Sequence, residues 1–137
     1  MIKKKVIHKG DFLHLDTNSK GVTLIVAMHE LSLTQNILDV ALLSAGKKRL
    51  VRVNLLIGQF SDEREEAIRF YWDDLAKDTP ACTAELTFQW VKAEMKCLDC
   101  GTIFYPAEET ALCPVCQSYH LKLLSGDDVR LDSIDVE

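Results

Sequence analysis

CLDCGTIFYPAEETALCPVC, residues 97–116, is the stretch of the sequence that decides the fold. It contains two Cys-x2-Cys pairs, Cys97 with Cys100 and Cys113 with Cys116, separated by twelve residues. Each pair turns the backbone so that both sulfurs face one point, and two such turns joined by a hairpin supply four thiolates to one tetrahedral ion. A segment this short cannot bury a core of its own, so a metal must take the place of one. The spacing therefore predicts a four-cysteine metal site.

The identity of the metal follows from the four sulfur ligands. Zinc accepts this tetrahedral set without redox activity, whereas iron in the same cage would make an electron carrier. Because all four positions are filled by cysteine, no position is open for a catalytic water, and we predict a structural Zn(II) with iron as the competitor. The fifth cysteine, Cys82, stands apart and is interpreted as a small buried residue.

Alternating apolar residues predict strands on both sides of the cysteine segment. LVRVNLLIG (residues 50–58) and AELTFQWV (84–91) precede it, and DVRLDSIDVE (128–137) follows it with a slip near Ser133 that indicates a bulge. If the last strand pairs with the earlier ones, the cysteine segment is an excursion from one sheet.

Two amphipathic helices complete the predicted fold. Residues 30–45 carry apolar side chains at helical spacing and stop at Gly46, and residues 60–78 begin at Ser61 or Asp62 as a cap. We predict an α+β fold, with two helices on a three-stranded sheet and an inserted zinc-ribbon-like subdomain.

The domain boundaries follow from these elements. An α/β domain comprises residues 28–94 together with 126–137, and a zinc-binding domain comprises residues 95–125. Residues 1–27 lack sustained periodicity, and we expect this N-terminal extension to lie outside the native fold.

Charge and hydropathy exclude several functional classes. The net charge of −5 disfavours nucleic-acid binding, and the absence of an 18-residue apolar window disfavours a membrane span. Charged residues interrupt the region after the basic start, so we expect a cytoplasmic protein rather than an exported one. No nucleophile and base pair is evident, so we predict a binding protein and not an enzyme.

Several segments together resemble one known family. They are MHELSLTQNIL (residues 28–38), VRVNLLIGQFS (51–61), AIRFYWDDL (67–75), the paired cysteines and SGDDVRLDSIDVE (125–137). The chain resembles, over residues 28–137, the HypA/HybF family of hydrogenase nickel-incorporation proteins. The resemblance implies a metallochaperone that passes Ni(II) to the [NiFe]-hydrogenase large subunit, with a hydrogenase-maturation GTPase as partner. It also raises urease accessory proteins as partners in some organisms, and leaves open whether the protein is a homodimer.

The resemblance also implies the nickel ligands. In this family nickel binds the N-terminal Met-His-Glu, which corresponds here to Met28, His29 and Glu30. The ligands would be the α-amine, the first backbone amides and the imidazole, a nitrogen set that suits square-planar Ni(II), with the Glu30 carboxylate as an additional candidate. Amines and imidazoles take up protons below about pH 8 and about pH 6.5, so such a site should lose nickel on mild acidification.

This chain departs from the family pattern at two places. An internal Met28 has no free amine, so either the native protein starts at Met28 or the extension damages the site; we expect the first. Arg64 occupies the position where the family often has an acidic residue, and we assign no ligand among Asp62, Glu63 and Glu65. The alternative function is a zinc-ribbon module that binds protein or nucleic acid without nickel delivery.

Overall fold

The computed structural model describes residues 1–8, 26–109 and 111–137, and for residues 26–28 it describes the backbone alone. Within these ranges the helices and strands are β1 (Lys3–Val6), α1 (Val26–Ala45), β2 (Leu50–Gly58), α2 (Glu65–Ala76), β3 (Glu85–Val91), β4 (Glu94–Cys97), β5 (Ile103–Phe104), β6 (Leu121–Ser125) and β7 (Val129–Val136). The predicted α+β class is confirmed. No helix among these residues is long and apolar enough to cross a membrane.

The strands form two sheets, one of order β1-β7-β2-β3 and one of order β5-β4-β6. β2 runs parallel to β3 and antiparallel to β7, so the last strand pairs with β2 and not with β3. The smaller sheet lies between β3 and β7 along the chain, which makes it the predicted excursion. This sheet and its loops, residues 94–125, are called the cysteine unit below. The finer boundaries, 95–125 against 28–94 with 126–137, stay predictions.

The expected bulge lies in β7, one residue from Ser133. The pairing steps from Asn54↔Ser133 to Leu55↔Leu131, so Asp132 is the extra residue opposite β2. Such a residue breaks the alternation of apolar side chains, which is the signal in the sequence.

The prediction of a three-stranded sheet was wrong, because β1 adds a fourth strand at its edge. Lys3–Val6 pair antiparallel with β7, and the N–H of Ile7 donates to the Asp132 carbonyl at 2.9 Å. Ile7 belongs to the hydrophobic core. Part of the extension that was expected to lie outside the fold is therefore in the sheet. All four β1 side chains are exposed, so main-chain pairing holds the strand and no apolar alternation reveals it. Residues 9–25 lie outside the described residues.

Both helices pack on the large sheet through fully buried aliphatic side chains. Ile37 of α1, Ile57 of β2, Ile68 of α2 and Ile134 of β7 share one core. A buried side chain of this size contributes about 1.5–3 kcal/mol to folding. This core holds both helices against the sheet.

The second helix begins later than predicted. α2 starts at Glu65, its N-cap Arg64 makes no side-chain capping bond, and Ser61 instead accepts a bond from the Glu63 N–H. The group that satisfies the Arg64 N–H is the carboxylate of Glu30 in α1, at 3.1 Å. A contact between distant segments thus replaces the local cap that the sequence indicated. α1 ends as predicted, with Gly46 at φ +59°.

Two glycines allow the cysteine unit to join the large sheet at close range. A Cβ on Gly58 would lie 2.3 Å from the carbonyl carbon of Gly126, and a Cβ on Gly126 would lie 2.5 Å from the Cα of Ala93. Gly126 also has φ +97°, which side chains rarely adopt. The junction therefore tolerates only glycine at Gly126.

A Gly126→Ala substitution should lower the free energy of unfolding by about 2–4 kcal/mol, from backbone strain and overpacking together. Gly46→Ala is the matched control, since Gly46 also has positive φ but no atom within 4 Å of its added Cβ. It should cost only about 1 kcal/mol. Urea denaturation measures both. Equal losses would show that the close packing at Gly126 contributes nothing.

Candidate metal centre

The structure brings the four predicted cysteines together. Their sulfur atoms all lie within 4.8 Å of one another, with 3.5 Å between Cys97 and Cys116 and 3.5 Å between Cys100 and Cys113. Cys97 and Cys113, the first residues of the two pairs, are buried, and Cys100 and Cys116 are exposed. Each pair therefore contributes one inner and one outer sulfur.

The two cysteine turns repeat the same backbone pattern. The Cys97 carbonyl accepts the N–H of Gly101 and the Cys113 carbonyl accepts the N–H of Gln117, each at 2.9 Å. Each of the two turns ends at a residue with a left-handed backbone conformation, Gly101 at φ 80° and Gln117 at φ 61°. Glycine adopts this conformation at no steric cost, whereas nothing in the sequence marks Gln117 for it.

Backbone amides point toward the inner sulfurs. The Cys100 N–H donates to the Cys97 Sγ at 3.5 Å, and the N–H groups of Val115 and Cys116 donate to the Cys113 Sγ at 3.4 and 3.5 Å. Such bonds favour the thiolate form that a metal requires.

Without a cation, four thiols around one point cannot all ionise. Hydrogen bonding with Thr102 is the main cause that lowers the pKa of Cys100 to about 6. At Cys116 the Ser118 N–H favours the thiolate and lowers the pKa. The opposite effect comes from the hydrogen bond with Cys97, from burial and from the other two sulfurs, and together these raise the pKa to about 12. The cluster thus retains protons until a cation displaces them.

The donor set fits a tetrahedral divalent ion. Zn–S bonds of about 2.3 Å place sulfurs about 3.8 Å apart at the corners of a tetrahedron, close to the 3.5 Å seen here. Among the described residues this is the one group of three or more His, Cys, Asp or Glu side chains close enough to share an ion. His120 lies near the site but is exposed and contacts Asp99, with 3.2 Å between Nδ1 and Oδ2.

The predicted nickel segment occupies the first turns of α1. Met28 lies within the helix, His29 is exposed, and Glu30 is buried with 2% of its surface accessible. The Glu30 carboxylate accepts the Arg64 N–H, so it points into the protein toward α2. Its carbonyl accepts the Thr34 hydroxyl at 2.6 Å. Glu30 anchors the segment, and His29 presents it to solvent.

Cys82 differs from its predicted burial. It is exposed in the turn after Pro80, and the neighbouring Ala81 is the residue that enters the core. A turn presents successive side chains in different directions, which the sequence alone does not resolve.

Comparison with known proteins adds a second line of observation. The family model described as "Hydrogenase/urease nickel incorporation, metallochaperone, hypA" matches residues 28–136. The chain belongs to this family. It is therefore a hydrogenase-maturation metallochaperone and not an enzyme, and the family resemblance in the sequence is confirmed.

Individual relatives agree with the family match. The chain is 37% identical over 114 residues to the hydrogenase maturation factor HypA of Caldanaerobacter subterraneus, covering 80% of this chain and all of the relative. It is 32% identical over 113 residues to HypA of Dehalococcoides mccartyi, covering 80% of this chain and 95% of the relative. The solution structure of the Ni metallochaperone HypA from Helicobacter pylori superposes with a TM-score of 0.59 at 23% identity, covering 77% and 94% of the two chains, which supports the fold alone.

Proposed function

We propose that the protein binds Ni(II) at Met28, His29 and Glu30 and delivers it to the [NiFe]-hydrogenase large subunit. The observation that carries this proposal is the HypA family match, which begins on Met-His-Glu at Met28. The four cysteines hold a structural Zn(II), which supplies stability to the cysteine unit.

The chemistry of α1 supports a nickel site at this segment. His29 is exposed, so its imidazole is accessible to an incoming ion and to a partner protein. Glu30 is anchored through its carboxylate, which leaves its backbone amide as the ligand and removes the carboxylate from the ligand set. An exposed site on an anchored segment can release its cargo without unfolding the protein.

A free amine at Met28 would change the backbone of this segment as well as its charge. The first four N–H groups of a helix have no acceptor within the helix. In a chain that starts at Met28, the amides of His29 and Glu30 belong to that unpaired set and are free to deprotonate onto nickel. In the longer chain, α1 begins at Val26, and the i→i−4 pattern of a helix pairs the Glu30 amide with the Val26 carbonyl.

The partners follow from the same role. We propose a hydrogenase-maturation GTPase and the hydrogenase large subunit as the proteins contacted during delivery, with urease accessory proteins as a second route. Dimerisation and the cytoplasmic location stay predictions. Family membership favours delivery over a zinc-ribbon module that binds other macromolecules.

His29→Ala in the protein that starts at Met28 should weaken nickel binding a hundredfold or more, which corresponds to about 3 kcal/mol. The reason is that the substitution removes one nitrogen ligand and its chelate ring. His120→Ala is the matched control, because His120 is exposed and its ring contacts the Asp99 carboxylate and the Tyr119 ring, neither of which belongs to the nickel segment. Calorimetric titration with Ni(II) measures both. An unchanged affinity in the His29 variant would contradict the proposed ligand set.

A further inference from the structure

Gln59 lies directly after β2 and contacts both sides of the junction with the cysteine unit. Its Oε1 accepts the Ala93 N–H at 2.9 Å, and its Nε2 donates to the carbonyls of Pro106 at 3.1 Å and Ala107 at 3.3 Å. Its own N–H donates to the Val91 carbonyl at 2.9 Å. One side chain therefore joins the large sheet to the loop between the two cysteine pairs.

Only a side-chain amide meets these three contacts. It offers one acceptor to Ala93 and donors to two carbonyl oxygens at the same time. A carboxylate of the same shape would place an oxygen against the carbonyls of Pro106 and Ala107, so Gln59→Glu reverses the interaction without changing the volume.

The loop that starts at Gln59 ends at the nickel segment. Ser61 and Glu63 form a turn within it, with 3.0 Å from the Ser61 hydroxyl to the Glu63 carbonyl. Arg64 then donates its N–H to the buried carboxylate of Glu30. Residues 59–64 are thus tied to the cysteine unit at one end and to Glu30 at the other.

We propose that Gln59 is a positioning residue that carries the placement of the metal-loaded cysteine unit to Glu30. With the metal bound, the loop at Pro106 and Ala107 is ordered and holds the Gln59 amide, which fixes residues 59–64 and the Arg64 N–H. Without it, the loop releases Gln59, and the bond from Arg64 to Glu30 opens more often. This inference rests on the proposed function, since Glu30 matters here as part of the nickel segment.

Hydrogen exchange at the Arg64 amide in the full chain tests the proposal. In the unsubstituted protein, removing zinc with a chelator should speed this exchange on the order of tenfold, the usual size of coupling between sites. Gln59→Glu should show the fast exchange already with zinc bound, and no further change when zinc is removed. Gln89→Glu is the matched control, because Gln89 is exposed on β3 and carries the same change of charge. It should behave as the unsubstituted protein.

The effect of zinc on Arg64 exchange distinguishes a positioning role of Gln59 from a general loss of stability in the variant. A general loss of stability in Gln59→Glu would leave the response to zinc intact, so that removing zinc speeds the exchange by a further factor of about ten. That result would overturn the proposal. The proposal would also be overturned if zinc removal left the exchange rate of the Arg64 amide unchanged in the unsubstituted protein. If Gln59→Glu does not retain zinc, Gln59→Met removes the same bonds without adding charge and has the same expected result. No nickel is present in this experiment. Its result therefore tests the role of Gln59 alone, and the nickel titration tests the proposed nickel site.

Discussion

Cys113→Ser should lose its metal to a chelator that leaves the unsubstituted protein loaded, and with the metal the folded cysteine unit, while the large sheet and its helices stay folded. A structural zinc site is worth about 10–16 kcal/mol, so losing one of four ligands weakens binding by roughly 3 kcal/mol, more than a hundredfold. Metal content per chain and amide exchange across β4–β6 measure the two losses. Cys82→Ser is the matched control, because Cys82 is exposed and lies outside the cluster.

The reason for this large effect is the small core of the cysteine unit. Its buried apolar side chains, Met95, Cys97 and Cys113, lie outside the hydrophobic core that joins the helices to the large sheet. Large apolar side chains of the unit are instead exposed, namely Leu98, Ile103, Tyr105, Leu112, Val115, Tyr119 and Leu124. With so little apolar area removed from water, the metal must supply the stability.

Two outcomes would contradict this account. A Cys113→Ser protein that keeps a full equivalent of metal in the presence of the chelator would show that three sulfurs suffice. A cysteine unit that stays protected from exchange after metal removal would show that side-chain packing folds it. The metal itself is identified in the same preparation, since iron in this cage would colour the protein and zinc would not.

The metal site was predictable from the sequence because its geometry is local. Two residues between the cysteines of a pair set each turn, and twelve residues between the pairs permit the hairpin. The strands β2, β3 and β7 were predictable for a similar reason, since alternation within a single strand reveals a half-buried face.

Three of the missed features depend on contacts between distant residues. β1 pairs with β7 through its main chain, and its exposed lysines carry no pattern of burial. The start of α2 is set by Glu30, 34 positions before Arg64. Gln59 meets Pro106 across 47 positions, and a glutamine after a strand has no distinctive meaning in one sequence. Local spacing cannot encode such pairs.

The family match and the structure indicate different roles for the N-terminal segment. The family match begins at Met28, yet Lys3–Val6 and Ile7 are part of the sheet and core in this chain. The extension thus stabilises the large sheet, while the nickel chemistry that we propose needs an amine at Met28. These two demands can be separated experimentally, because a protein that starts at Met28 lacks β1 but keeps the sequence of α1 and of the other strands.

The most direct test of the central claim is a Ni(II) titration of two proteins, one starting at Met1 and one starting at Met28 with a free amine. Each should first be shown to hold one zinc per chain, and the nickel geometry should be read from its absorption spectrum. We predict that the Met28 protein binds one square-planar nickel, and that the Met1 protein binds nickel at least about a hundredfold more weakly, a difference of about 3 kcal/mol. Equal affinity in the two proteins would show that the amine is dispensable and would contradict the proposed nickel site.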